Sequence, residues 1–474
     1  MKSTIYATVS ALALLAAAPA LGQNVSNVTQ TGTTGAATVG QTGTTGSNLS
    51  DITQSGDSNS AAVTQASVAG AQNHSTVTQA AGSTGNHADV DQSGEGNTSD
   101  ITQEGKDSTA DVSQNGSGNS SIVDQSGLTD TVNATVNQGG SQNDSYVGQI
   151  GANSNVLVNQ TNSLDGSVGN HSTVLQAGLG SGVLVNQDGQ NNTSNALQVG
   201  VSSGVTVGQS GADNTSNVLQ VGLGASVNVL QSGTNNNSDV GQLAISSSVN
   251  VSQTGDANNS LVGQIAGGSS VGVVQTGASN LSTVTDLADG SSATVTQTGT
   301  SNTSDVSQNP EGSILSFINE NDHSTTVQTG DSNSSSLRQY GTNQSASVEQ
   351  IGNNNISGIP GTSVGILQIG SDQIATVAQH GDGNSSLVEQ GKNNSASSFN
   401  TATADQFGTN GLSSILQDGD HNTAELDDTG VGNISAIIQN GSSNSADVTQ
   451  GSTGNNSLVN QTGSSNSATV TQGS

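Results

Sequence analysis

The chain is defined first by what it lacks. Its 474 residues include no cysteine and no tryptophan, and only three prolines, three phenylalanines and three tyrosines. Without cysteine no disulfide can brace the fold, so stability must come from backbone pairing and stacking. The scarcity of large side chains excludes a thick hydrophobic core, and a polar composition of this kind is by itself typical of a disordered chain.

Basic residues are also rare. Four Lys and Arg stand against 35 Asp and Glu, which gives a net charge of −31. Nucleic-acid binding needs clustered basic side chains, so this composition argues against it. Beyond the N-terminus, no segment has the roughly 18 consecutive apolar residues of a transmembrane helix.

The N-terminus has the pattern of a secretory signal. Lys2 supplies the positive charge, residues 11–18 form an apolar stretch too short to span a bilayer, and small residues occupy the cleavage positions Ala20 and Gly22. We predict a signal peptide over residues 1–22 and a mature chain over residues 23–474.

What the chain has is a fixed period. A glutamine, replaced once by Asp286, recurs every eleven residues from Gln176 to Gln308. Each unit alternates inward and outward residues, as in the segment from Asn466 to Gln472, which is typical of a half-buried β-strand. A glycine soon after the glutamine indicates a tight turn.

The full coil is twice this unit. In the central region asparagines open every second strand, 22 residues apart, while the strands between open with Ser or Ala. Closing Gln or Asp residues from Gln30 to Gln472 number 38, or 19 coils. We predict an all-β fold, a flattened two-sheet β-solenoid of stacked 22-residue strand–turn–strand–turn coils with an amyloid-like cross-β arrangement.

The buried amides fit this fold. A buried Asn or Gln is costly unless its donors and acceptors are bonded, and stacking lets each amide bond its copies one coil away. We expect inward Val, Ile, Leu and Ala to fill the space between the sheets. The predicted structural ladder residues are Asn97, Gln103, Asn119, Gln125, Asn192, Gln198, Asn214, Gln220, Asn236, Gln242, Asn258, Gln264, Asn302, Gln308, Asn444, Gln450, Asn466 and Gln472.

The period slips in four places. We predict loop insertions near residues 161–170, 309–321, 353–363 and 393–402, two of which contain Pro310 and Pro360. These loops have three interpretations: neutral insertions, binding elements, or segments that slow premature assembly. The third rests on proline, which cannot extend a strand ladder.

No constellation for catalysis, cofactor binding or metal binding is present. The six histidines are scattered, and His74 and His87 fall on successive strands and so on opposite sheets. The serines have no fixed His or Asp partner, and the aspartates in turns lack the nonapeptide of calcium-binding β-rolls. We predict a protein that is not an enzyme and has no cofactor.

The repeat closely resembles the curlin repeat of bacterial curli amyloid, whose signature joins two strands through Gln-x-Gly-x-Gly-Asn. The segments 92–97, 114–119 and 379–384 match this central part. The resemblance implies a secreted subunit that self-assembles into adhesive biofilm fibres, with a nucleator subunit and a dedicated outer-membrane secretion pore as partners. Familiar curlin subunits have about five coils and a short export segment, whereas here the segment from Asn24 to Gln30 already has a strand pattern.

Two functions follow from this sequence. The first is an extracellular or cell-surface amyloid subunit whose terminal coils template the next molecule, which is consistent with a last strand that runs to Gln472. The alternative is a monomeric secreted β-solenoid that serves as an adhesin or a surface spacer and uses the loops at Pro310 and Pro360.

Overall fold

The computed structural model describes residues 23–43, 47–67, 70–126, 131–162, 168–308, 321–359, 363–393 and 396–473. Across these ranges it consists of strands and turns without a helix, so none of them holds a helix that could cross a membrane. The all-β prediction is confirmed. The predicted signal peptide lies outside the described residues, as do Pro310 and Pro360.

Forty strands form two sheets. Sheet A contains β1 (Val25–Gln30), β3 (Leu49–Gln54), β5 (His74–Gln79), β7 (Thr98–Gln103), β9 (Ser120–Gln125), β11 (Asp144–Ala152), β13 (His171–Leu179), β15 (Thr193–Val201), β17 (Thr215–Leu223), β19 (Asn237–Ile245), β21 (Asn259–Gly267), β23 (Leu281–Asp286), β25 (Thr303–Gln308), β27 (Ser334–Thr342), β29 (Ile356–Ile359), β30 (Ser363–Val364), β31 (Ile366–Ser371), β33 (Ser385–Gln390), β35 (Leu412–Asp420), β37 (Ile434–Ser442) and β39 (Asn456–Ser464). Sheet B contains β2 (Ala36–Gly43), β4 (Ser60–Ser67), β6 (His87–Glu95), β8 (Thr109–Ser117), β10 (Val132–Ser141), β12 (Ser154–Thr161), β14 (Gly182–Gln190), β16 (Gly204–Ala212), β18 (Ser226–Thr234), β20 (Ser248–Asp256), β22 (Ser270–Ala278), β24 (Ser292–Thr300), β26 (His323–Thr329), β28 (Ser345–Ile351), β32 (Ile374–His380), β34 (Thr401–Gln406), β36 (Thr423–Asp428), β38 (Ser445–Gln450) and β40 (Ser467–Gln472).

Apart from β29, β30 and β31, which all belong to sheet A, successive strands alternate between the sheets. Each inner strand pairs in parallel with the strands one coil before and one coil after. The register is strict, so that Gln198 pairs with Gln220 and Gln209 with Gln231. In the described residues β1 pairs only with β3, and β40 only with β38, so both sheets are open rather than closed on themselves. The predicted two-sheet β-solenoid of 22-residue coils is confirmed.

A thin core lies between the sheets. In β17 the side chains of Ser216, Val218 and Gln220 are buried, while the intervening residues face outward. The facing strands of sheet B bury mainly valine and alanine, such as Val227 and Val229 in β18. This alternation is what a strand pleat produces when only one face is covered.

Leucine departs from the expectation that it fills the core. Leu337 and Leu426 are buried, but Leu175, Leu197 and Leu219 are 40–47% exposed on the outer face of sheet A. The narrow gap between the sheets is filled by Val, Ala, Ser and Gln, so most of the longer aliphatic chains of this central region lie outside.

The turns depend on two backbone positions. The residue just before most strand openers has a left-handed backbone, as at Asn235 (φ 55°) and Ser246 (φ 54°). The glycine two residues after a sheet B glutamine also has positive φ, 111° at Gly255, and a Cβ there would lie 2.0 Å from the carbonyl oxygen of Gly277. At this φ, glycine avoids the clash that a Cβ would make with the adjacent turn.

Four coils are longer than 22 residues near the predicted insertions. Their laddered glutamines are 27 residues apart at Gln149–Gln176, 31 at Gln308–Gln339, 29 at Gln339–Gln368 and 27 at Gln390–Gln417. In the third of these coils the extra residues interrupt a strand: β29 and β31 both pair with β27 and share one rung, and β30 folds back antiparallel onto β29. Each sheet therefore has 19 rungs.

Candidate functional site

The repeated chemical feature of the molecule is the closing glutamine. Gln209, at the end of its sheet B strand, donates one Nε2 hydrogen bond to Gln231 Oε1 in the next coil at 2.8 Å. A second bond runs from the same Nε2 to the carbonyl oxygen of Thr193 in sheet A at 2.9 Å. One amide thus ties coil to coil and sheet to sheet, which meets the polar requirements that make its burial tolerable.

The opening asparagine has a different task. Asn192 Oδ1 accepts hydrogen bonds from the backbone N–H of Asn214 at 3.1 Å and from its Nδ2 at 3.0 Å. Asn214 Nδ2 also donates to the carbonyl oxygen of Gly233 in a neighbouring turn at 3.0 Å. The asparagine column therefore fixes the turns, while the glutamine column fixes the spacing of the sheets.

The predicted ladder residues divide unequally between the sheets. Fourteen belong to strands or strand openers of sheet A, and Asn444, Gln450, Asn466 and Gln472 belong to sheet B. Sixteen are buried, whereas Asn466 and Gln472, on the last described rung, are more exposed. Neighbouring members of a column contact one another, for example Gln220 Nε2 with Gln242 Oε1 at 3.0 Å.

Both glutamine columns have one direction. Wherever glutamine follows glutamine, the Nε2 of one coil donates to the Oε1 of the next coil toward the C-terminus, from Gln30 onward in sheet A and from Gln41 onward in sheet B. The first rung therefore presents amide oxygens and the last rung presents amide N–H groups. Stacking a copy head to tail would continue the same pattern.

Each column is interrupted once by aspartate. In sheet A, Asp286 accepts from Gln264 Nε2 at 3.2 Å and from the backbone N–H of Ala288 at 3.2 Å, but it has no amide with which to continue the column. Burial raises the pKa of the Asp286 carboxyl to about 6. In sheet B, Asp428 holds the equivalent place.

A row of buried serines lies beside the amide columns and was not among the predicted ladder residues. Ser194, Ser216 and Ser238 lie in register in sheet A and are fully buried, and their hydroxyl oxygens have no hydrogen-bond partner in the described structure. The signal was present, because a serine stands two residues after most sheet A asparagines. Serine is small enough for the narrow gap, so its size rather than its polarity suits this position.

Acidic side chains also stack in register on the outer faces. Asp89 pairs with Asp111, and Asp405 with Asp427. Partial burial, followed by the neighbouring carboxylates, raises the pKa of Asp405, and partial burial is also the main cause of the raised pKa of Asp111. A raised carboxyl pKa means that the stacked state binds protons more tightly than the open chain, so acidification favours stacking.

Reactive groups do not converge in the part of the chain that the structure describes. No group of three or more His, Asp or Glu side chains is arranged to hold a metal ion there. His171 Nδ1 lies 3.0 Å from Asp144 Oδ2, and both side chains are about half exposed at the surface of sheet A. His74 and His87 belong to β5 and β6, on opposite sheets.

Comparison with known families gives one match. A model described as the curlin associated repeat matches residues 47–80, 84–116, 105–132 and 268–299. The second and third segments contain Asn97, Gln103, Asn119 and Gln125, which lie in the buried amide columns described above. A search of curated proteins gives no match.

Proposed function

The chain is a curlin-repeat protein with a β-solenoid fold, and we propose that it is a secreted structural subunit that stacks end to end into curli-like amyloid fibres outside the cell. The family is structural rather than enzymatic. The fibres would serve adhesion and the biofilm matrix. Residues 1–22 would direct export, and a nucleator subunit and an outer-membrane secretion pore would be the partners in assembly.

The observation that carries this proposal is the matched polarity of the two ends. In the described residues, β1 and β2 offer unpaired backbone edges with the Oε1 atoms of Gln30 and Gln41. At the other end, β39 and β40 offer the edges with the Nε2 groups of Gln461 and Gln472. An exposed strand edge is a template for another strand, and here the inward amides also match.

Seeded polymerisation tests this proposal. The chain lacking residues 1–22, diluted from denaturant, should form thioflavin-binding fibres whose fragments remove the lag phase of fresh monomer. Val470→Asp places a carboxylate on the inward face of the last rung, so we expect it to slow elongation at least tenfold. Thr471→Asp adds the same charge on the outward face of that rung and should elongate nearly as the parent does.

Two results would contradict the proposal. A persistently monomeric, β-rich parent protein would exclude assembly. Equal elongation by the two variants would show that the end rungs are not the joining surfaces.

The alternative, a monomeric secreted adhesin or surface spacer, is favoured by one observation. Leu175, Leu197 and Leu219 form an outward aliphatic row on sheet A in a chain with few large apolar residues. An exposed apolar patch is typical of a contact surface. Monomeric protein that binds surfaces and does not seed would support this second function.

A further inference from the structure

The one break in the glutamine column of sheet A leaves a specific atom without a partner. The strand register pairs Asp286 with Gln308. Asp286 has no amide N–H to donate, so Gln308 does not receive the hydrogen bond that glutamine provides at the other steps of this column. Gln308 Oε1 is buried and has no hydrogen bond. The two N–H groups of Gln308 Nε2 are shared among three acceptors, the carbonyl oxygens of Ser292 and Asp322 and Gln339 Oε1.

The sheet B break has the same consequence. Asp428 pairs in register with Gln450, and Gln450 Oε1 is also buried without a partner. Among the closing glutamines in the described ranges, these are the two with a buried Oε1 that lacks a hydrogen bond. In both places the missing donor is the amide that aspartate does not have, so the orphan oxygen is a direct result of the substitution.

The backbone does not break at this rung. The N–H of Leu287 donates to the carbonyl oxygen of Gln308 at 2.8 Å, and the strand register continues from β23 to β25. The defect is therefore confined to side chains: a carboxylate that cannot donate is in strand register with the glutamine whose buried amide oxygen lacks a donor. A proton on the carboxylate is the one missing part.

We propose that Asp286 is a proton-operated joint of the stack, whose neutral carboxyl donates its O–H to Gln308 Oε1 and closes the sheet A column, and whose ionised form leaves the column open. The proton comes from solvent and no other bond is made or broken. This joint is a property of the folded coil, and it holds whether or not the chain polymerises.

Few other charges surround Asp286. Strands β21, β22 and β24 carry no ionisable side chain. On β25, Asp305 faces outward, is 43% exposed and lies 3.8 Å from Arg338. Asp289, in the following turn, raises the Asp286 pKa after the larger effect of burial. A further carboxyl, that of buried Asp322, belongs to the residue whose carbonyl oxygen accepts from Gln308 Nε2. Among the residues that the structure describes, no cation contributes to keeping the Asp286 carboxylate ionised.

The sign of the pH effect follows from these surroundings. The pKa of Asp286 is about 6 in the folded coil, against 3.8 for an unperturbed carboxyl. A raised carboxyl pKa gives stability that is fully present below pH 3.8 and is lost as pH rises through about 6. With these values, we expect local opening to be about tenfold rarer at pH 5 than at pH 8.

Hydrogen exchange of the full chain tests the joint. Protection of peptides from residues 281–308, corrected for the intrinsic pH dependence of exchange, reports local opening. We expect the parent protein to lose about tenfold protection between pH 5 and pH 8 relative to Asp286→Gln. This variant restores the residue that closes the other sheet A strands, so its column is complete at either pH. Asp305→Asn removes a nearby outward charge and should keep the parental pH dependence.

A second readout does not depend on any variant folding normally. Infrared titration of the parent protein should show a carboxyl group that protonates near pH 6, and Asp286→Asn should lack this signal. The proposal is wrong if the parent and Asp286→Gln change protection equally with pH. It is also wrong if no carboxyl assigned to Asp286 titrates above the ordinary range of aspartate.

Discussion

At the scale of single residues, the fold depends on which side of a strand each side chain occupies. Val218 is 3% exposed, and the adjacent Leu219 is 47% exposed. Val218→Asp would bury a carboxylate with no partner, so we expect it to lower the free energy of unfolding by about 4 kcal/mol or more. Leu219→Asp places the same group in water and should change it by about 1 kcal/mol or less.

Urea denaturation followed by circular dichroism measures both changes. Asn217 is a poorer control, because its Nδ2 donates to Asp239 Oδ1 at 2.6 Å and a carboxylate there would meet a like charge. Similar losses in Val218→Asp and Leu219→Asp would refute the facing of β17.

Residue patterns predicted the facing of Val218 and the places of Asn and Gln, because polarity at a fixed spacing is visible in the letters. The strand alternation also places Ser216 inward and Leu219 outward, although residue type alone favours leucine over serine in a core. The narrow gap between the sheets, which a sequence does not state, explains why serine suits the inward position. The orphan oxygen of Gln308 was equally hidden, since it follows from the direction of the hydrogen bonds rather than from composition.

At the scale of elements, the stacked turns are the least tolerant part of a coil. Gly255 has φ 111°, and an added Cβ would lie 2.0 Å from the carbonyl oxygen of Gly277. We expect Gly255→Ala to destabilise the chain by about 2 kcal/mol or more. Gly272, on the outer face of β22, has open space around its Cβ position, so Gly272→Ala should be neutral or stabilising by about 0.5 kcal/mol.

Hydrogen exchange across residues 248–278 distinguishes these two variants. Protection should fall around the turn in Gly255→Ala and stay unchanged in Gly272→Ala. Full protection in Gly255→Ala would mean that the turn stacks less tightly than the structure indicates.

The number of strands differs from the number predicted from the eleven-residue period. Closing residues predict 38 strands, and the structure has 40, because β29 and β31 divide one rung and β30 belongs to the hairpin between them. The eleven-residue spacing marks where strands end. It carries no signal for an insertion inside a strand, where the residues after Ser357 leave the sheet and return at Ile366.

At the scale of the whole molecule, the paired strands form one continuous stack. Nineteen rungs at about 4.8 Å each give a solenoid on the order of 90 Å long. Its net charge of −31 opposes close approach of two copies, so assembly has to rely on backbone pairing and inward amides at the ends. The sequence alone predicted the stacking of coils, because every coil repeats the residue pattern of the one before.

Mass per unit length of the thinnest fibres, measured by scanning transmission electron microscopy, tests this account most directly. End-to-end stacking along the solenoid axis predicts one chain for roughly every 90 Å of a single filament, with whole-number multiples in bundles. Several chains per 90 Å in a single unbundled filament, or one chain spread over a much greater length, would contradict it.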